Sequence, residues 1–313
     1  MKTTKTIYAA FQENGKGGNP AGVVLDAEGL SPRAMQGLAR DLDAPTTAFV
    51  VEARLLPDPC LGLRFYTPQR EVAMCGHATV AAAAALVDAG RIEPGAGRVV
   101  LRLRAGGSDR VLSIVRGAGS RPAVELALGG ARTWNAHVGR EEVEAVLGGV
   151  RSDPRLEVGC AATGLRHLFL PFARVSDLAR LRPDFPAVKR LCERLDVDTL
   201  GAFALGRDGD EAVRLRDFSA PIGKDEEAAS GTTSSALLAH LVRTSGVTAA
   251  ESVDFPVRQG VEMGSPSRIH VRWTPNGSVE VGGAGGSFSV RGTAAEVART
   301  AHSFPSALET RSA

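Results

Sequence analysis

Short apolar runs that alternate with polar residues dominate the first half of the chain, and Gly, Pro or Asp bounds each of them. Runs of this length and composition predict β-strands. The segment 31–42 differs, because Ser31 and Pro32 precede apolar residues at helical spacing, which predicts an amphipathic helix. The predicted strands lie at 4–11, 21–26, 47–54, 61–67 and 99–105.

Residues 77–90 carry a different pattern, since HATVAAAAALVDAG is apolar on nearly every side and ends at Gly90. A helix of this kind must be covered from all directions by other structure. The second half repeats the same kinds of element. Its predicted strands are 123–128, 166–173, 200–206, 212–218, 267–273 and 278–283, and its predicted helices are 141–148, 175–181, 186–195 and 232–246.

Two segments, 64–86 and 216–241, share an internal order. Each has an arginine and an aromatic residue at a strand end, a turn with proline and acidic residues, and then a small nucleophilic residue with glycine before an apolar helix. Cys75-Gly76 in the first segment corresponds to Ser230-Gly231 in the second. Such an echo predicts two similar domains that face each other across a cleft.

The apolar periodicity lapses at 129–140, which predicts a linker between two self-sufficient halves. We therefore expect one domain at 1–128 and a second at 129–287. Residues 288–313 form a candidate return segment to the first domain.

Composition excludes several classes of protein. The 37 Lys and Arg residues nearly balance 35 Asp and Glu residues, so the net charge of +2 gives no electrostatic attraction to nucleic acid. No stretch reaches the roughly 20 apolar residues of a membrane helix, and the N-terminus lacks a signal-peptide core, which favours a cytoplasmic location. The four cysteines are widely scattered and predict free thiols without a metal site.

Glycine is abundant, with 36 residues against 11 Phe, two Trp and two Tyr. Glycine at a helix start leaves backbone N–H groups free to bind an anion, and the helix dipole favours negative charge there. Two such starts, at Gly76 and Gly231, would hold a carboxylate and stabilise an enolate beside it. The alternative is that both are ordinary close-packing glycines.

Candidate proton carriers lie beside these helix starts. Cys75 would have a lowered pKa at a helix N-terminus, unless it is simply a small buried apolar residue. His77 could donate a hydrogen bond or move a proton, although a lone histidine is often structural. The acidic residues 225–227 precede the second helix, where one of them could be a general base and the others a solvated first turn.

Several sequence motifs of this chain resemble those of the phenazine-biosynthesis (PhzF-like) isomerases, which share the diaminopimelate epimerase fold with the proline racemases. The resemblance covers roughly residues 5–292. Its most specific string is RFYTPQREVAMCGHATVAAAAAL, and QGVEMGSPSRIHV is nearly as specific. The strings FQENGKGGNPAGVVL, TAFV and EEAASGTTSSALLAHL support it in order and spacing.

The resemblance implies two α/β domains, each a strongly curved sheet rolled around a central helix, with the active site in the cleft between them and commonly a homodimer. The implied chemistry moves a proton next to a carboxylate or along a conjugated system, without a cofactor or a metal. Carried over residue by residue, Asn19 and Gly76 line the site, and Glu227 falls at the position of a family acid. Thr232 follows Gly231 as a further substrate-binding candidate.

Two positions depart from the family pattern. The phenazine enzymes have an acid/base glutamate where the match PTTAFV places Thr46. The epimerase and racemase branches pair two cysteines, whereas this chain offers Cys75 with Ser230, and a serine is not a ready thiolate. The arrangement therefore favours one-sided proton movement by Cys75, His77 or Glu227, with Thr46 and Ser230 as polar lining.

The sequence thus predicts a cofactor-independent isomerase acting on a small carboxylated substrate. Its Arg-rich, Lys-poor composition suggests a high-GC bacterium and a specialised-metabolite pathway, such as one that builds alkylated proline units of antibiotics. One alternative is an amino-acid epimerase or racemase that uses Cys75 as its base. Another is a catalytically degenerate protein that binds a carboxylate, which the absence of a glutamate at Thr46 motivates.

Overall fold

The fold is a mixed α/β arrangement in which two rolled sheets each enclose one helix. The computed structural model describes residues 5–94, 97–115, 123–206, 213–245, 253–274, 283–292 and 294–297. The helices are α1 Pro32–Leu42, α2 Gly76–Asp88, α3 Arg140–Val146, α4 Val175–Arg180, α5 Phe185–Arg194 and α6 Gly231–Ser245, with a short 3₁₀ helix at Ala220–Ile222. No helix in this part of the chain is long and apolar enough to cross a membrane.

The strands outnumber the helices and form one continuous hydrogen-bonded system. They are β1 Lys5–Ala10, β2 Asn19–Val24, β3 Thr47–Arg54, β4 Cys60–Tyr66, β5 Glu71–Val72, β6 Arg98–Ala105, β7 Ser108–Val115, β8 Ala123–Asn135, β9 Gly159–Ala162, β10 Arg166–Phe172, β11 Thr199–Ala204, β12 Val213–Phe218, β13 Glu226–Glu227, β14 Val253–Gln259, β15 Ser267–Thr274, β16 Gly283–Gly292 and β17 Ala294–Glu296.

The first roll surrounds α2. Its strands pair in the order β17, β1, β2, β3, β4, β6, β7 and β8, with parallel pairs at β2–β3 and β4–β6. Residues 77–86 of α2 are all buried, and the alanines at 81–85 let strands approach it closely. Helix α1 packs outside, with Met35, Ala39 and Leu42 turned inward.

The second roll surrounds α6 and closes on itself. Its pairing runs β8, β9, β10, β11, β12, β14, β15 and β16, and β16 then pairs with β8 again. Helix α6 contacts β8, β9, β10, β15 and β16, while residues of α3, α4 and α5 pack with the outer side of the sheet in a separate apolar cluster. The two rolls therefore share one architecture, a curved sheet around a central helix.

Strand β8 joins the two rolls, which differs from the linker predicted at 129–140. Its first residues pair with β7, its last residues pair with β9, and β16 pairs along its other edge. Gly129 has a φ of 84°, and the register with β16 shifts there, so that the strand bends without ending. The lapse in apolar periodicity coincides with this bend, where Gly129, Gly130 and Arg132 are exposed. The division into 1–128 and 129–287 stays a prediction.

Most predicted elements are present, and several strands were missed. Strands β7, β9 and β14 were not predicted, because charged residues interrupt β7, β9 has only four residues without β-branched side chains, and Pro256 lies within β14. The predicted strand 278–283 lies almost wholly outside the described residues, as do residues 298–313 of the candidate return segment. Strand β17 pairs with β1 of the first roll.

The similarity between segments 64–86 and 216–241 corresponds to a structural repeat. Each roll contains a strand (β4 or β12), a two-residue strand paired to it (β5 or β13), the central helix, and a strand parallel to the first (β6 or β14). Arg64 forms an ion pair with Glu71 and lies over Tyr66. Arg216 likewise pairs with Glu226 and lies over the ring of Phe218. The two units are therefore equivalent in this ion pair and in the aromatic ring beneath its arginine.

Loops from the two rolls meet at glycines in the turn before β2 and in the loop between β14 and β15. The N–H of Gly18 donates to the carbonyl of Pro266 at 3.1 Å, and the Ser265 hydroxyl donates to the carbonyl of Gly18 at 2.8 Å. A Cβ on Gly17 would lie 2.2 Å from the carbonyl oxygen of Pro266, and one on Gly260 would lie 2.3 Å from that of Ser265. This close approach fixes the position of Asn19, the next residue after the turn.

The contact at Gly17 generates a prediction with an internal control. Gly15 and Gly17 both have positive φ, of 76° and 63°, but a Cβ on Gly15 meets no atom within 4 Å. Gly15→Ala should therefore lose only the backbone preference, about 1–2 kcal/mol of unfolding free energy. Gly17→Ala should lose about 1–3 kcal/mol more, because backbone atoms of Pro266 must move. Urea unfolding measures both, and equal losses would contradict the structural role of this contact.

Candidate active site

The start of α2 places a thiol at an open helix N-terminus. Cys75 is the N-cap residue, in extended conformation with φ −148°, and its carbonyl accepts the N–H of Thr79 at 3.0 Å. A Cβ built on Gly76 would meet no atom within 4 Å, so the space beside this backbone is open. The free N–H groups of the first turn and the helix dipole favour negative charge here.

Cys75 forms a pair with His77. Its Sγ lies 3.3 Å from Nδ1 of His77, which is 9% exposed. Burial acts to raise the pKa of the Cys75 thiol, but the charge and hydrogen bond of His77 outweigh it and bring that pKa below its ordinary value. The N–H of Ala78 and the hydroxyl of the buried Thr46 add to this lowering. Cys75 is thus the described cysteine with thiolate character.

The start of α6 carries hydroxyls in place of the thiol and imidazole. Ser230 Oγ accepts the N–H of Thr233 at 3.2 Å and lies 3.1 Å from the hydroxyl of Thr232. The backbone N–H of Ser230 donates to Oε1 of the fully buried Gln259 at 3.2 Å. Ser230 therefore caps its helix, which occupies its oxygen and leaves it a weak candidate for a second base.

A buried acid lies behind this helix start. Asp217, 1% exposed, accepts a hydrogen bond from the Thr233 hydroxyl at 2.7 Å, and that hydroxyl lies 2.8 Å from Ser230 Oγ. Burial raises the pKa of Asp217 to about 7, and the hydrogen bonds of Thr233 and Thr199 only partly oppose it. Near neutral pH, the protonated and the charged form of Asp217 are therefore both populated.

Glu227 lies between the rolls with both carboxylate oxygens bound. Asn19, at the start of β2 in the first roll, donates from Nδ2 to Oε1 of Glu227 and also to the carbonyl of Ala229 at 2.8 Å. The ammonium of Lys224 donates to Oε2 at 2.8 Å, and Nε2 of Gln259 donates to the backbone carbonyl of Glu227 at 2.6 Å. Glu227 is thereby fixed in position at 9% exposure.

The two helix starts belong to one electrostatic site. The charge of His77 acts on Glu227, and the charge of Cys75 acts on Lys224, although each pair combines one residue from each roll. Helices α2 and α6 also contact each other. The thiol, the imidazole and the carboxylate therefore belong to one network of interacting charges that spans the two rolls.

The structure brings the sequence candidates together in two groups. Thr46, Cys75, Gly76 and His77 surround the start of α2, and Asn19, Glu227, Ser230, Gly231 and Thr232 surround the start of α6. Of the acidic trio, Glu226 pairs with Arg216 and Asp225 holds the 3₁₀ turn through its carbonyl. Only Glu227 of these three faces the cleft residues.

Four residues of the site were missed by the sequence interpretation, namely Asp217, Lys224, Thr233 and Gln259. Lys224 could have been identified from the sequence, because it is one of five lysines in the chain and precedes the acidic residues 225–227. Asp217 could also have been identified, since it lies between an arginine and an aromatic residue at the position where the first unit has Phe65. Neither feature of the sequence shows which residue the side chain contacts.

The chemistry available is proton transfer beside a bound anion. The site combines a thiolate-type sulfur, an imidazole and helix N–H groups, which can remove a proton from carbon and stabilise the resulting negative charge. Within the described residues, no group of three or more His, Cys, Asp or Glu side chains is arranged to hold a metal ion.

Comparison with known proteins matches this chain to one family. Residues 8–300 match the family model described as phenazine biosynthesis-like protein. The chain is 37% identical over 300 residues to an uncharacterized isomerase of Deinococcus radiodurans, with 88% of this chain and 89% of the relative covered. It is 30% identical over 287 residues to trans-2,3-dihydro-3-hydroxyanthranilate isomerase of Pseudomonas aeruginosa, with 90% and 96% covered.

Solved structures agree in fold. The phenazine biosynthesis protein of the PhzF family from Bacillus anthracis superimposes with a TM-score of 0.83 at 25% identity, covering 95% of this chain and 98% of that one. A probable proline racemase from Agrobacterium radiobacter gives a TM-score of 0.64 at 15% identity, covering 95% and 91%, which is a likeness of fold alone.

The Cys75–His77 pair predicts a selective alkylation pattern. Iodoacetamide should modify Cys75 first, with a midpoint below the ordinary thiol value of about 8.5, because only thiolate reacts. Burial raises the pKa of Cys160 and of Cys192 to about 12, so these two serve as internal controls. His77→Asn should move the Cys75 rate profile to higher pH. Peptide mass spectrometry measures the rates, and an unchanged profile in His77→Asn would rule out the coupling.

Asp217 predicts a pH-dependent stability. Because its pKa rises from 3.8 to about 7 on folding, the folded state holds a proton between these values that the unfolded state lacks. Stability should therefore fall as pH rises through this window, by about 1.4 kcal/mol per pH unit. In urea unfolding, Asp217→Asn should remove this slope, whereas Asp41→Asn on the surface should retain it. A wild-type slope that survives in Asp217→Asn would exclude Asp217 as its source.

Proposed function

This chain belongs to the phenazine biosynthesis-like protein family and is an isomerase of the PhzF type, and we propose that it moves a proton, and with it a double bond, in a small carboxylated substrate. The observation that carries the proposal is the Cys75 thiol at the start of α2, 3.3 Å from His77 and electrostatically coupled across the cleft to Lys224. A lowered thiol pKa at a helix N-terminus suits a base that acts on carbon.

In the proposed reaction, the backbone N–H groups near Gly76 and Gly231 hold the substrate carboxylate and spread the charge that develops in the conjugated system. One of Cys75, His77 or Glu227 removes the proton, and a proton returns to a different carbon. The substrate gains and loses one proton, so the overall change is the position of the double bond. Asn19, Thr46, Ser230 and Thr232 supply the polar lining.

The substrate class follows from the relatives. The Pseudomonas aeruginosa relative is named for trans-2,3-dihydro-3-hydroxyanthranilate, a small cyclic carboxylate with conjugated double bonds. We propose a substrate of this kind for the present chain. Thr46, where the family resemblance expects an acid/base glutamate, favours a different member of the class, such as an unsaturated proline-type carboxylate in an antibiotic pathway.

The proposal also includes a homodimer and a reaction without metal or organic cofactor, both of which rest on the family resemblance. A cytoplasmic location and the two domains 1–128 and 129–287 are proposed from the sequence pattern.

Turnover in deuterated water distinguishes the proposed function from its alternatives. With trans-2,3-dihydro-3-hydroxyanthranilate or an unsaturated proline-type carboxylate as substrate, the protein should incorporate deuterium at the carbon that receives the proton and shift the ultraviolet absorbance, because the double bond moves. Deuterium at the α-carbon of an amino acid, with inversion, would instead support an epimerase or racemase. Failure to turn over either class would leave a carboxylate-binding protein and contradict the proposal.

Substitution of the thiol tests its role in this reaction. Cys75→Ala should lower the turnover rate by about 100-fold, the usual scale for a general acid–base group. Cys60→Ala provides the matched control, because Cys60 is a buried cysteine on β4 whose pKa burial raises. Rates are compared by NMR of the deuterated product. Equal rates for the two variants would remove Cys75 from the mechanism.

A further inference from the structure

Lys224 lies in the turn that leads into β13 and contacts the site directly. Its ammonium donates to Oε2 of Glu227 at 2.8 Å, and its side chain is 33% exposed. The lysine follows Gly223, whose φ of 89° ends the 3₁₀ helix and directs the chain back toward the cleft. This placement brings Lys224, one of five lysines in the chain, into contact with Glu227, a candidate catalytic acid.

Two side-chain donors hold Glu227 as a carboxylate, one on each oxygen. Asn19 occupies Oε1 and Lys224 occupies Oε2, so both oxygens accept hydrogen bonds from nitrogen donors that cannot accept a proton in return. The backbone of Glu227 is held as well, by Gln259. A carboxylate bound in this way is stabilised in its charged form and cannot readily rotate toward a ligand.

The charged groups around Glu227 come from every element packed against it. Lys224 precedes it on its own segment, Asp217 is its cross-strand partner on β12, and His77 and Cys75 lie at the start of α2. Burial acts to raise the pKa of Glu227, but Lys224, His77 and the hydrogen bond of Asn19 bring it below its ordinary value. Of the groups that lower this pKa, Lys224 acts most strongly.

The positions of the first unit that are equivalent to Glu227, Ser230 and Thr232 carry different chemical groups. Counting from the glycine that opens each central helix, Val72 occupies the place of Glu227, and Cys75 and His77 occupy the places of Ser230 and Thr232. The first unit thus supplies groups that can exchange a proton and no carboxylate. The second unit supplies a bound carboxylate and hydroxyls that cap a helix.

We propose that Lys224 is a positioning residue that, together with Asn19, holds Glu227 as a fixed anion, so that the Cys75–His77 pair alone carries the substrate proton. This inference rests on the proposed function and selects among its three candidate carriers. Glu227 acts as a fixed negative charge that interacts electrostatically with His77 of the first roll. Lys224 itself takes no proton from the substrate.

The proton steps balance within this assignment. The Cys75 thiolate takes a proton from a substrate carbon, forming an S–H bond, and the electron pair of the broken C–H bond enters the conjugated system. A proton then passes from the Cys75–His77 pair to the carbon at the far end of that system. The new C–H bond uses the same electron pair, and the thiolate is restored without any other reactant.

The test measures the protonation of Glu227 directly and the reaction separately. Carboxyl resonances of protein labelled with δ-¹³C glutamate are followed by NMR against pH, and Glu227→Gln identifies the relevant resonance. In the wild type this carboxyl should stay charged down to acidic pH. Lys224→Met should move its titration upward by about one pH unit or more, because a single adjacent cation is lost. Lys224→Arg should leave the titration in place.

Activity provides the second measurement, on the same proteins. Lys224→Met should lower kcat by about tenfold or more and change the pH profile of kcat/KM, whereas Lys224→Arg should restore both. Lys189→Met is the matched control, since Lys189 forms an exposed pair with Glu193 on α5 at 3.9 Å. If circular dichroism shows that Lys224→Met does not fold, Lys224→Gln replaces it, which keeps a donor and removes the charge.

The outcomes separate this inference from the proposed function. A wild-type Glu227 that titrates near neutral pH overturns the inference, and so does a titration that Lys224→Met and Lys224→Gln leave unmoved. If the NMR shifts appear but the wild type turns over no substrate, the charge-holding role of Lys224 stands and the proposed function fails. If the wild type is active and the variants titrate and react like it, the function stands and the inference fails.

Discussion

Helices α2 and α6 are buried along most of their length, and each can be stable only if strands cover it from all sides. A sheet that meets this demand must curl until its edges meet, which is why the second roll closes through β8 and β16. The two central helices contact each other, and electrostatic interactions connect residues at their starts across the two rolls.

Under the proposed function, a nearly neutral protein binds an anion. Backbone N–H groups and helix dipoles provide the positive potential, so the surface needs no excess of basic residues. The open space beside Gly76 gives a ligand access to such groups, while the tight contacts of Gly17 and Gly260 hold the loops around it. Glycine thus serves two opposite purposes. It allows close packing of loops at Gly17 and Gly260, and it leaves open space beside the helix start at Gly76.

The internal repeat makes the differences between its halves informative. The structural ion pairs are equivalent, with Arg64–Glu71 in one unit and Arg216–Glu226 in the other. The groups that face the cleft are not equivalent, since thiol and imidazole stand in the first unit and carboxylate and hydroxyls in the second. A site built from two equal bases would suit inversion of a stereocentre, whereas this unequal site suits one-sided movement of a proton, by groups on a single face of the substrate.

The sequence by itself determined the features that depend on local pattern. These include the buried alanine-rich helix, the correspondence of Cys75-Gly76 with Ser230-Gly231, and most of the strands. Tertiary structure alone decided the bend of β8 between the rolls, the protonation of Asp217, and the partners of Glu227, one of which is Asn19, 208 residues away. Residue spacing encodes which face of an element is apolar. Desolvation and charge pairing depend on distances between remote segments, which no local pattern contains.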